Sequence, residues 1–99
     1  MVIERFVLVD WSYNNREQTK LVCMERRGWS MSPRDAIKFH AESLSDLVRR
    51  IVQFCIKHEC APLIEAVGTG EQLLYAVTEA LGPKWPPDPL EYVPQRDAK

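Results

Sequence analysis

The sequence predicts an α/β protein with a mixed five-stranded sheet, in the order β-β-β-α-β-α-β. Valine-rich apolar runs bounded by polar residues are typical of buried strands, and two segments repeat their apolar residues at helical spacing. Short connections between the first three strands indicate an antiparallel meander. With 99 residues and 45% apolar side chains, the chain can bury one core. Residues 1–99 are therefore expected to form a single domain, with a proline-rich segment at 83–99.

The first three strands are predicted at 5–11, 19–27 and 35–41. The first reads RFVLVDW and suits a buried central strand that ends at Asp10 or at the tryptophan after it. The polar turn that follows favours a hairpin with the second strand. The third strand alternates apolar and polar residues, as a half-buried strand does, and it follows a predicted loop at 28–33.

A helix is predicted over 44–58, because apolar residues recur there at intervals of three and four. Ser43 or Ser45 is expected to be its N-cap. The apolar run 60–67 then predicts a fourth strand that carries Glu65 near its C-terminal end. Since the helix can cross over the sheet, the fourth strand is expected to run parallel to one of its predecessors.

A second helix is predicted to begin at Thr69, because Gln72 three residues later completes a capping-box pattern. Apolar residues at helical spacing continue this helix, and Gly82 followed by Pro83 ends it. Residues 90–93 (LEYV) are predicted as a short fifth strand.

Two acidic residues are predicted to meet at one edge of this sheet. Asp10 ends a central strand and Glu65 ends the strand reached through the crossover, so both emerge at the same edge. Paired carboxylates hold hard cations such as Mg²⁺, and such ions support phosphoryl displacement. Two other roles remain open from the residues alone: Asp10 as a cap of the following turn, and Glu65 in a structural salt bridge to an arginine.

Two strings of residues carry a family resemblance, VLVDWS at 7–12 and LIEAVGTGEQLL at 63–74. In order and spacing they resemble the ribonuclease H-like superfamily, in particular the nuclease domain of phage terminase large subunits. The resemblance spans nearly the whole chain and implies a metal-dependent endonuclease acting on DNA, with Asp10 and Glu65 as the first two ligands of Mg²⁺ or Mn²⁺. The family's third acid usually follows the fifth strand. This chain lacks an acid that matches it; Asp88, Glu91 and Asp97 are substitutes by composition only, and Asp88 is taken as the third ligand.

The sequence also offers groups for a macromolecular partner. Arg26, Arg27, Arg34 and Lys38 form a local basic set that suits the phosphates of DNA. The alternative to a nuclease is a non-catalytic binding module of phage or mobile-element origin. Such a module would use Trp11, Tyr13, Trp29 and the arginines to engage a protein or a nucleic acid.

Composition argues against several other classes. A net charge of −1 and a pI of about 6.1 do not suit a dedicated nucleic-acid coat protein. Neither a membrane span nor a secretory leader is expected, because no long uncharged apolar run is present. Three cysteines without paired spacing indicate a reducing, cytoplasmic setting, and the resemblance to phage terminases implies that the cell is a bacterium or a phage-infected host. A sheet without a final helix would leave an apolar face uncovered, so self-association as a homo-oligomer is expected as one way to bury it.

Overall fold

The computed structural model describes residues 3–12, 17–65 and 68–85, which form one mixed sheet of four strands with two helices. The elements in chain order are β1 (Ile3–Asp10), β2 (Thr19–Arg27), β3 (Ser30–Phe39), α1 (Leu44–His58), β4 (Ala61–Leu63) and α2 (Thr69–Leu81). The α/β class is therefore confirmed. The predicted fifth strand at 90–93 lies outside the described residues, as does most of the segment 83–99.

The strand order across the sheet is β3-β2-β1-β4. β1 is antiparallel to β2 and parallel to β4, and β3 is antiparallel to β2. Because parallel neighbours need a long crossover, the chain passes through α1 between β3 and β4. This topology makes β1 a central strand with one antiparallel and one parallel partner.

The connection between β2 and β3 is shorter than the sequence predicts. The predicted loop at 28–33 and strand at 35–41 are wrong in extent, because β3 begins at Ser30 and only Gly28 and Trp29 form the turn. Gly28 has a φ of 59°, which glycine adopts without the steric cost that a side chain adds. The first half of β3 is exposed at the sheet edge, so its strand conformation comes from pairing with β2 rather than from burial.

Ser12 and Thr19 join the end of β1 to the start of β2. The hydroxyl of Thr19 accepts a hydrogen bond from the Ser12 amide at 2.9 Å and donates one to the Ser12 carbonyl oxygen at 2.7 Å. Both residues are buried. The two bonds fix the place where β1 ends, and with it the position of Asp10.

The core lies between the helices and one face of the sheet. α1 packs on β1, β2 and β4, and α2 packs on α1. The residues that are completely shielded from solvent there include Val7, Leu21, Leu47, Ile51 and Leu73. β1, β2, the end of β3 and both helices contribute buried residues to this core, and Cys60 and Ile64 on either side of β4 join it.

The other face of the sheet carries neither helix, and we call it the open face. Because side chains alternate along a strand, residues next to the core positions point to this face. On β1, β2 and β4 its apolar members are Phe6, Leu8, Val22, Met24, Ala61 and Leu63, and Ala36 of β3 pairs with Val22 on the same face. Each of them is partly or largely exposed in the described part of the chain.

α1 begins and ends close to the predicted residues. Ser43 is the N-cap, and its hydroxyl accepts a hydrogen bond from the Asp46 amide at 3.1 Å. The last helical residue is His58, and Glu59 closes the helix in the left-handed conformation with a φ of 55°. The predicted end of this helix is confirmed, and of the two predicted caps Ser43 is the correct one.

The region around β4 and α2 departs from the prediction in two ways. β4 covers only three residues instead of 60–67, so Glu65 lies just beyond the strand. The capping box at Thr69 and Gln72 is wrong, because the N-cap is Gly68, which has no side chain to donate or accept a bond. The predicted end of α2 at Gly82 is confirmed.

Candidate metal site at the sheet edge

Asp10 and Glu65 lie at the carboxyl ends of two neighbouring parallel strands. Asp10 is the last residue of β1, and Glu65 comes two positions after the end of β4. The pairing of β1 with β4 keeps a constant offset, beginning with Phe6 opposite Ala61. The same offset makes residue 65 the counterpart of residue 10. The topology therefore brings the two acids to the same edge of the sheet.

Neither carboxylate is engaged elsewhere in the described part of the protein. Asp10 and Glu65 are both exposed, and neither side chain forms a hydrogen bond or an ion pair with another described residue. The arginine salt bridge considered for Glu65 is therefore absent from the described ranges. The turn considered for Asp10 lies largely outside them, at 13–16.

Gly70 sets the contact between α2 and the end of β4. A Cβ atom at Gly70 would collide with the carbonyl oxygen of Glu65 and would lie 3.8 Å from the ring of Trp11. Only glycine lets the first turn of α2 approach this closely. Since Trp11 directly follows Asp10, the first turn of α2 lies close to both segments that carry the acids.

Lys20 lies beside Asp10, and sequence reasoning missed it. Lys20 pairs with Asp10 across β1 and β2, and Lys38 pairs with Lys20 across β2 and β3. All three side chains are exposed and share the open face. An acid beside two lysines can bind a cation while the lysines attract a phosphate group. A lysine in a strand gives no sequence signal of a functional site. The position of Lys20 beside Asp10 follows only from the register of β1 against β2.

The other three basic residues predicted to contact DNA already have carboxylate partners. Arg27 and Arg34 contact the carboxylate of Glu25 at 3.0 and 2.7 Å. Arg26 contacts Glu4 at 3.4 Å on the open face. Because neighbouring strand residues point to opposite faces, the predicted basic set is divided between the two faces of the sheet.

Glu25 is a buried acid whose charge is balanced by arginines. Its side chain is 3% exposed. The hydrogen bond from Arg34 is the main cause that lowers the pKa of Glu25, and the bond from Arg27 adds to it, while burial opposes both. The carboxylate is therefore ionised at neutral pH and fully engaged, which makes it a structural group rather than a metal ligand.

The three cysteines lie together in the core. Cys23, Cys55 and Cys60 are all buried, and the Sγ atoms of Cys23 and Cys60 are 4.0 Å apart. Burial raises the pKa of the Cys55 thiol to about 12, and it is also the main cause that raises the pKa of the Cys60 thiol to about 12. Because the thiolate is the form that attacks or binds metal, these groups serve as core residues.

The acids at the sheet edge suit a hard cation. Mg²⁺ is commonly bound through one or two carboxylates, with waters and substrate phosphates in the remaining positions. Within the described ranges, no group of three or more His, Cys, Asp or Glu side chains is placed to hold a metal ion. Asp88, the predicted third ligand, lies outside those ranges. Asp10 and Glu65 thus form a two-carboxylate candidate site.

Comparison with known proteins found no matching family model, no similar characterised protein and no similar solved structure. No helix in the described part of the chain is long and apolar enough to cross a membrane.

Proposed function

We propose that this protein is a ribonuclease H-like, metal-dependent nuclease domain that hydrolyses DNA phosphodiesters. One observation carries the proposal: Asp10 and Glu65 are exposed, lack a described partner, and follow adjacent parallel strands at the same edge. Two carboxylates in this arrangement supply the oxygen donors that Mg²⁺ or Mn²⁺ prefers.

The proposal includes a fifth strand at 90–93, next to β4. One edge of β4 has no partner among the described strands. The indole of Trp85 donates a hydrogen bond to the carbonyl oxygen of Cys60 at 3.0 Å, so the chain returns after α2 to the start of β4. A strand that leaves from there, parallel to β4, continues the βαβ connection that sheets of this kind use.

The residues at the edge have separate roles in the proposed reaction. Asp10 and Glu65 bind the cation, and Asp88 is the proposed third ligand. A bound divalent ion lowers the pKa of a water molecule and polarises the phosphate. Lys20 and Lys38 place positive charge beside Asp10 and attract the DNA backbone, which keeps the scissile phosphate near the carboxylates.

Thermal unfolding during a Mn²⁺ titration tests for the metal site. At ten times the dissociation constant, a ligand that binds only the folded state adds about 1.4 kcal/mol. For a domain of this size the unfolding midpoint then rises by roughly 6–10 °C. We expect Asp10→Asn and Glu65→Gln each to abolish the rise. Glu4→Gln, on the same strand and the same face as Asp10 but at the other end, is the matched control.

Two results of the titration would contradict a metal site at Asp10 and Glu65. No rise in the wild type at millimolar Mn²⁺ contradicts the metal site, and a rise that survives both substitutions places the ion elsewhere. Asp88→Asn tests the third ligand in the same titration. Cleavage of supercoiled plasmid by the wild type, compared with Asp10→Asn, then decides whether the bound metal supports hydrolysis.

A specific observation also favours the alternative of a binding module. Trp29 is fully exposed at the turn between β2 and β3, two positions after Arg27. An exposed indole next to guanidinium groups suits stacking on an unpaired base, worth about 1–3 kcal/mol per base. Under this alternative, Trp29→Ala weakens the binding of labelled single-stranded DNA by about fivefold or more. Asp10→Asn then leaves that binding unchanged.

A further inference from the structure

The open face is apolar at its centre. Two rows of apolar residues cross three strands: Phe6, Met24 and Ala61 in one row, and Leu8, Val22 and Leu63 in the other. Leu8 is 40% exposed and Leu63 is 53% exposed. No described element covers these rows, so the face is an apolar surface without an occupant in the described chain.

Charged pairs lie at both ends of the two apolar rows. Asp10 of β1 is opposite Lys20 of β2 at one end, and Glu4 of β1 is opposite Arg26 of β2 at the other. In each pair the acid is on β1 and the base is on β2. Asp10 and Lys20 form no ion pair within the described ranges. Glu4 and Arg26 are 3.4 Å apart, with about half of each side chain exposed.

This pattern is complementary to itself. A two-fold axis that runs along the strands, between β1 and β2, lays β2 of a second copy over β1 of the first. Asp10 of each copy then faces Lys20 of the other, and Glu4 faces Arg26. Rotation about this axis does not change the position of a residue along the strand direction. Each apolar row of one copy therefore packs against the same row of the other copy.

We propose that the open face binds a second copy of this chain and forms a two-fold symmetric dimer, sheet against sheet. Such aligned packing is common between sheets whose inner faces are apolar. The centre of this face does not suit nucleic acid, because its two rows are apolar and carry no basic side chain. A second copy supplies both the apolar rows and the opposite charges in the required order.

The size of the face indicates a reversible dimer. Four strands about 4.8 Å apart and six residue steps of about 3.3 Å give a face of roughly 19 by 20 Å. Two such faces bury about 760 Å² in total, which is smaller than a standard specific interface and fits a weak, reversible one. We therefore expect a dissociation constant on the order of 10 μM.

The dimer also bears on the proposed metal site, although it does not depend on it. In the dimer the other copy covers Asp10, so a metal ion and the second copy compete for this carboxylate. If both proposals hold, Mn²⁺ shifts the protein toward the monomer by mass action. The dimer is therefore tested in EDTA, so a failure of the metal site leaves this result unaffected.

Sedimentation velocity over about 1–300 μM protein measures the association. We expect Lys20→Glu and Asp10→Lys each to raise the dissociation constant by about tenfold or more, because each places like charges opposite one another. The double variant Lys20→Glu with Asp10→Lys exchanges the two charges, so its dissociation constant should return to near that of the wild type. Thermal unfolding of every variant shows that it is folded.

Leu63→Ser tests the apolar part of the face, and Ile56→Ser is its matched control. Leu63 is 53% exposed on β4, and Ile56 is 52% exposed on α1, away from the open face. We expect only Leu63→Ser to weaken the dimer, by about tenfold or more. A wild type that stays monomeric at every concentration overturns the proposal. The proposal is also overturned if Leu63→Ser leaves the dissociation constant unchanged, or if the double variant with exchanged charges does not dimerise.

Discussion

Asp35 of β3 and His58 of α1 are joined by a contact of 3.0 Å between Oδ2 and Nε2. Lys57 Nζ lies 3.4 Å from the same carboxylate oxygen. The ring of Phe54 packs edge-on against the imidazole, with 4.5 Å between the ring centroids. One carboxylate therefore ties the last turn of α1 to the edge strand of the sheet.

We expect Asp35 to make the folded state sensitive to acid. The hydrogen bond with His58 is the main cause that lowers the pKa of Asp35, and Lys57 adds to it. A carboxyl group with a lowered folded-state pKa stabilises the fold at pH values above its unfolded pKa of about 3.9. That contribution is lost as the pH falls through the lower folded-state value. Asp35→Asn should therefore reduce stability at pH 6 and make progressively less difference below about pH 4.

Urea unfolding of the wild type and Asp35→Asn at a series of pH values measures this difference. Glu71→Gln, at an exposed position in the first turn of α2, is the control for removing a surface carboxylate. A gap between wild type and Asp35→Asn that stays constant into strong acid would show that the substitution acts through packing rather than through the charge.

Thr19→Val should destabilise the protein because it removes both hydrogen bonds to Ser12 while keeping the shape of the side chain. The Ser12 amide and carbonyl then lose their buried partner, a loss of about 1–3 kcal/mol in the free energy of unfolding. Urea unfolding provides the measurement, and Thr78→Val, at an exposed position of α2, provides the comparison. Equal midpoints for the two variants would mean that the pair does not hold the end of β1.

The sequence predicted the parts of the fold that burial decides. The bounds of β2 match the prediction, and α1 runs between the predicted cap and the predicted end. Both elements bury one face, so their apolar residues repeat with the period of the structure. The first half of β3 has no such period, because its side chains lie exposed at an edge and only the neighbouring strand holds it straight. Such pairing leaves no periodic pattern in the sequence of the exposed strand, so the sequence does not predict it.

The residues of the candidate site also differ in whether the sequence predicts their placement. Asp10 and Glu65 were found because each follows an apolar run, and a crossover brings such ends to one edge. Lys20 was missed because its place beside Asp10 depends on the register of β1 against β2. The start of α2 was predicted with the wrong cap, since the close approach of Gly70 to Glu65 is a tertiary contact.

Gly70→Ala should destabilise the protein, although alanine is the better helix former. In an unconstrained helix the exchange stabilises by about 1 kcal/mol. Here the new Cβ atom meets the carbonyl oxygen of Glu65, a backbone atom that cannot turn aside. We expect a net loss of about 1–3 kcal/mol, measured by urea unfolding, as for other overpacked sites. Glu71→Ala, one position later and exposed, is the control, and a stabilised Gly70→Ala variant would contradict the close contact.

The thiols should resist alkylation in the folded protein. Cys55 and Cys60 have pKa values raised to about 12, chiefly by burial, and Cys23 is buried with them. At pH 8 a thiol of pKa 12 is about 0.01% thiolate, whereas an ordinary thiol is about a quarter thiolate. Iodoacetamide with mass spectrometry should therefore modify none of the three within minutes, and all three in urea. Ser45→Cys, at an exposed position of α1, should react at once. Rapid modification of a native cysteine without urea would show that the core opens at this point.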